Sequence, residues 1–114
     1  MPFTLKRDDR FKWPVSFDVP VDGGKFKRET FDGIFIRVSQ SRLRELTGLV
    51  SSGEVTDTDV AREVLVGWSG IKDDNGEDVP FSDEAPEQLL DVPMLASAIV
   101  VKYFESLQGV KAKN

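Results

Sequence analysis

A chain of 114 residues fits one compact domain better than two, and its 39% hydrophobic and 10% aromatic content is that of an ordinary globular fold. Neither cysteine nor histidine occurs, which excludes disulfides, thiolate metal sites, cysteine nucleophiles and the side chain that most often serves as general base near neutral pH. Fifteen Lys and Arg against twenty Asp and Glu leave a net charge of −5, which repels phosphate backbones, and neither a signal-like opening nor an apolar run of roughly 18 residues occurs. A cytoplasmic protein with neither nucleic acid nor membrane as partner is therefore expected.

Residues 1–10 hold the charged run from Lys6 to Arg10 and too little apolar material to pack, so a flexible N-terminal segment is expected there. From Trp13 to Val21 the odd positions are Trp13, Val15, Phe17, Val19 and Val21, and the even ones include Pro14, Ser16, Asp18 and Pro20. This period of two predicts a strand with one buried face, and two prolines in the other register place it at a sheet edge. Asp22, Gly23 and Gly24 supply a tight turn, and Lys25 to Val38 reads as the returning strand. Its alternation slips near Asp32 and Gly33, which predicts a bulge at that point.

The period then lengthens to about 3.6. Ser39 or Ser41 can cap a helix reaching Ser51, with Leu43, Leu46, Leu49 and Val50 on one stripe and Gly53 at its end. Thr56 and Asp59 have the spacing of a capping box, and Val60, Ala61, Val64, Leu65 and Trp68 predict a second, shorter amphipathic helix. Asp73, Asp74, Asn75 and Gly76 make a turn between Ile71 and the pair Val79 and Phe81, a small hairpin or ordered loop. Ser82 with Asp83 and Glu84 opens a short helix anchored by Leu89 and Leu90. Asp91 is expected to cap the last helix, with Pro93 in its first turn and its end near Gln108. That helix is apolar nearly all round, which requires either a central place in the fold or cover from a partner. Residues 110–114 are expected to be a disordered tail.

Little in this inventory carries chemistry. The acidic run at 73–78 lacks the ligand spacing of a calcium loop, because an alignment on Gly76 puts Ile71 where an oxygen ligand is needed. Asp57 and Asp59 are two apart at a helix start and do not face each other as an acid/base pair would. Gly23, Gly24, Gly67 and Gly70 match no phosphate-binding fingerprint. Lys25, Lys27 and Arg28 around Phe26 are similar to strand-based nucleic-acid readers, but the alternating Glu29 and Asp32 make a solvated strand face the better reading. For Trp68 two roles stay open: core, from its spacing with Val64 and Leu65, and contact with a partner, from its place at a helix end among glycines.

The order of these features, with VSQSRLREL entering a helix, then REVLVGWSGIKDDNGEDVPFS, then an apolar helix closing in KYFESLQGVKAKN, resembles the small tail assembly chaperones of long-tailed (siphovirus-type) bacteriophages and prophages. The similarity spans about residues 11–114 and is sharpest from Glu63 to Ser82. It implies a non-enzymatic protein of the host bacterial cytoplasm that binds the tape measure protein, keeps it soluble, helps recruit tail tube (major tail) protein and leaves before the virion is mature. The rival expectation is a structural tail or head-tail connector subunit retained in the particle. The fold expected is α+β: an N-terminal antiparallel β-hairpin packed on about four α-helices, one domain over residues 11–109. Trp68, Ile71, Val79 and Phe81 around the turn, with Tyr103 and Phe104 on the last helix, are the expected partner-binding residues, possible self-association is allowed for, and no catalytic residue, cofactor or metal ligand is expected.

Overall fold

The computed structural model of the protein describes residues 10–108. The expected mobile segment, apart from Arg10, and the expected tail lie outside these residues. Strand β1 (Arg10–Val21) turns through Gly23 and Gly24, both at positive φ, into β2 (Lys25–Ile36), and the two pair in antiparallel register from Arg10↔Ile36 to Val21↔Lys25. Helices α1 (Gln40–Ser52) and α2 (Asp57–Val64) follow, then strand β3 (Leu65–Ser69), then α3 (Ala85–Leu90) and α4 (Leu95–Gln108). The sheet order is β1-β2-β3, so β1 lies at an edge, as its prolines require. The expected α+β architecture of hairpin and four helices is present, with a third strand added to the hairpin.

That third strand corrects the expected second helix. Leu65 and Trp68 do not continue α2; the helix stops at Val64, Leu65 turns to extended backbone, and Leu65–Ser69 pairs antiparallel with β2. The expected bulge is also displaced. The β1–β2 register runs unbroken through Asp32 and Gly33, and the irregularity lies on the other side of β2, between Ile34 and Phe35, where β3 fits an additional residue, Val66, between the partners Leu65 and Gly67. Phe31, Gly33 and Phe35 all face the core, so the alternation of β2 is intact, with glycine in one inward slot.

The core lies between that face of the sheet and α4 with α2. Val15, Phe35, Leu46, Val60, Val64, Leu95, Ile99 and Tyr103 are the large side chains sealed within it. On the opposite, solvated face, directly paired residues interact across the hairpin: Ser16 Oγ lies 3.3 Å from Thr30 Oγ1, and Arg28 Nε donates to Asp18 at 3.2 Å. Helix α1 is capped as expected by Ser39, whose hydroxyl accepts from the Arg42 N–H, and closed by Gly53 at φ 82°. The box at Thr56 and Asp59 closes in both directions. Asp91, by contrast, ends α3 and does not open α4, which starts after a turn through Val92, Pro93 and Met94.

Candidate functional site

Four of the six expected contact residues come together. The 71–79 turn closes as a small hairpin, with Val79 N–H donating to the Ile71 carbonyl at 2.8 Å and Lys72 bridged to Asp78. Trp68, on β3, pins this turn to the sheet: its indole N–H donates to the Val79 carbonyl at 2.7 Å, and the Phe81 ring stands edge-on at 4.9 Å. Trp68 is 9% exposed and so belongs to the core, yet it also walls two adjoining clefts of about 180 Å³ each. One is lined by Ser69, Gly70, Asp78 and Pro80 with Trp68, Ile71 and Val79; the other adds Ala85, Gln88, Leu89 and Val92 to those three. The core role expected for this residue is thus present, and its ring also borders open space.

The other two stand apart from it. Tyr103 is fully buried among Phe11 and Phe35, and its hydroxyl donates to the Ile36 carbonyl at 2.7 Å while accepting from Val38 N–H at 3.3 Å. Burial raises its phenol pKa, since the charged form would lose hydration. With no surface to offer, Tyr103 is a core residue tying α4 to the end of β2, and the expectation of partner contact does not fit its place. Phe104, half-buried at 5.8 Å from Tyr103, packs against the same core.

The most exposed large apolar side chains lie elsewhere. Phe26 at the hairpin tip is 69% exposed and Met94 before α4 is 78% exposed. They flank a groove of about 420 Å³ lined by Phe17, Pro20, Phe26, Pro93, Met94 and Ala98, with Asp18 and Ser97. Met94 has φ 71°, the sole described non-glycine residue in the left-handed region, a strained conformation for a side chain of its size. The alternating charges predict a solvated strand face around Phe26, and the apolar run that follows Pro93 predicts helix at Met94, which instead lies in the turn before α4. The available signal was an aromatic between two lysines at a glycine turn.

Ion pairs brace the scaffold around these surfaces. The Arg42 guanidinium grips Glu63 through two hydrogen bonds of 2.6 and 2.8 Å, tying α1 to α2, and also reaches Glu45. Arg62 makes the same fork on Glu87 and ties α2 to α3. Each guanidinium holds its carboxylate below the usual range, and Asp59 is lowered by the Thr56 backbone and hydroxyl. Among the described residues, no group of three or more acidic side chains is placed to hold a metal ion, and no helix is long and apolar enough to cross a membrane. Compared with known protein families, with curated proteins and with solved structures, the chain finds no match.

Proposed function

We propose that this protein is a phage tail assembly chaperone that covers apolar helical stripes of the tape measure protein in the host cytoplasm and helps bring tail tube subunits to it. The observation that carries the reading is the groove between hairpin tip and α4, where two large apolar side chains stand mostly in solvent beside a surface of Phe17, Pro20 and Ala98. An amphipathic helix binds such a groove through apolar anchors spaced along one face. Burying a side chain the size of Phe or Met contributes roughly 1.5–3 kcal/mol before the costs of association, so one copy binds weakly and reversibly. Many copies along a long helical partner would still cover it wherever their concentration exceeds the dissociation constant of a single contact. Weak single contacts also suit a protein that must depart when the tube closes.

The test is co-expression with a tape measure protein. The wild-type chain should keep that protein soluble and co-purify with it. Phe26→Asp should lose both effects while its circular dichroism stays unchanged, because that side chain is largely in water already. A tape measure protein that stays insoluble with the wild type, or is held in solution equally by Phe26→Asp, would refute the assignment. Mass spectrometry of purified particles separates the rival reading: a retained subunit would be abundant and a chaperone missing.

A further inference from the structure

Charge is distributed very unevenly along the chain. Between residues 72 and 91 eight carboxylates stand against Lys72 alone, a net −7, so the remainder of the chain carries a net +2. Three of the eight are engaged: Asp78 by Lys72 at 2.6 Å, Glu87 by Arg62, and Asp73 by the backbone N–H groups of Asn75 and Glu77. Asp74, Glu77, Asp83, Glu84 and Asp91 are exposed and form no ion pair among the described residues. This segment also builds the apolar cleft in front of Trp68. Val79, Ala85 and Val92 in its wall each follow directly on a carboxylate, Asp78, Glu84 and Asp91.

We infer that the Trp68 cleft is a second docking site, separate from the hairpin groove, and that its partner is a basic amphipathic helix placing one large apolar side chain in the cleft with lysines or arginines around it. A cavity of about 150 Å³ with apolar walls holds a benzene-sized guest, so this open cleft of about 180 Å³, apolar but for Gln88, has room for one leucine, methionine or phenylalanine side chain. The acidic surround selects the charge of the residues beside that anchor, speeds encounter, and repels acidic helices, including a second copy's own acidic segment. Neither feature depends on the proposed role in tail assembly.

The probe is a short synthetic helix with leucines on one face and lysines elsewhere, added to the full ¹⁵N-labelled chain. The Trp68 indole N–H, assigned by its persistence in Trp13→Phe, reports on the cleft because it is bonded to Val79. The Leu/Lys peptide should shift this resonance, and about tenfold more salt should weaken binding by roughly tenfold or more, as exposed charges are screened. The same peptide with glutamate for lysine should not bind, and one with glutamine for leucine should leave the indole resonance in place. The quadruple variant Asp74→Asn, Glu77→Gln, Asp83→Asn, Glu84→Gln changes only exposed side chains outside the ion pairs and should bind about tenfold more weakly with its spectrum otherwise intact. Equal binding of the Leu/Glu peptide, an equal indole shift from the leucine-free peptide, shifts confined to the neighbourhood of Phe26 and Met94, or no shift with any peptide would each overturn the inference.

Discussion

At Gly33 the absence of a side chain is what leaves room for the Phe35 ring. The position faces the core, with Trp13 opposite it on β1 and Trp68 opposite it on β3. A Cβ there would lie 2.8 Å from Phe35 Cε2 and 2.9 Å from Cζ, and Phe35 is fully buried, so its ring has little room to withdraw. Gly33→Ala should therefore lose about 1–3 kcal/mol of stability, the usual result of overfilling a packed core, read as a lowered urea midpoint with unchanged m-value. Tyr103 makes the complementary case, since it fills its space and also satisfies two backbone groups. Tyr103→Phe strands the Ile36 carbonyl and the Val38 N–H and should cost about 1–3 kcal/mol at neutral pH. Its folded-state pKa is raised, so the neutral phenol's contribution is complete below about pH 10 and is lost as pH rises through the folded value. The stability gap between wild type and Tyr103→Phe should accordingly narrow in alkali.

Elements were legible in the sequence wherever one period held from cap to cap. The hairpin, α1, the box opening α2 and the 71–79 turn all follow from alternation, glycine placement and capping residues that act locally. Strand β3 did not follow, and its bulge explains why. In a regular strand Leu65 and Trp68, three apart, would point to opposite faces; the additional residue Val66 turns both toward the core opposite Phe35 and Gly33. The resulting spacing of inward residues imitates one turn of helix, and it continues the α2 stripe of Val60, Ala61 and Val64 without a break. Only pairing with β2, a contact distant in sequence, decides between the two. The helices that flank this strand are joined by carboxylates of lowered pKa, Glu63 on Arg42 and Glu87 on Arg62, with Asp59 lowered at the cap of α2. A lowered folded-state value stabilises above the unfolded carboxylate range and is lost as pH falls through the folded value. Thermal unfolding followed by circular dichroism should thus show a midpoint nearly constant from pH 7 to about 5 that declines below about 4. Arg42→Gln should make that acid decline shallower, since Glu63 then titrates almost as it does in the unfolded chain.

Over the whole molecule, the two apolar surfaces differ in how they are held. The Trp68 cleft is braced on one side by the indole hydrogen bond and by the 71–79 turn. At the hairpin groove, Met94 is kept in a left-handed conformation while 78% of its surface faces water. That conformation costs on the order of 1 kcal/mol for a residue with a Cβ, and solvent repays none of it. Glycine would adopt the same backbone without strain. A methionine there weakens the isolated domain, which is the expected pattern where the side chain is retained for a contact made with another molecule. Met94→Gly should leave thermal stability unchanged or raise it by up to about 1 kcal/mol, while reducing the co-purification that the proposed function calls for. Lower stability together with undiminished binding would instead assign the Met94 side chain to the packing of α4 on the hairpin and leave Phe26 as the main anchor of the groove.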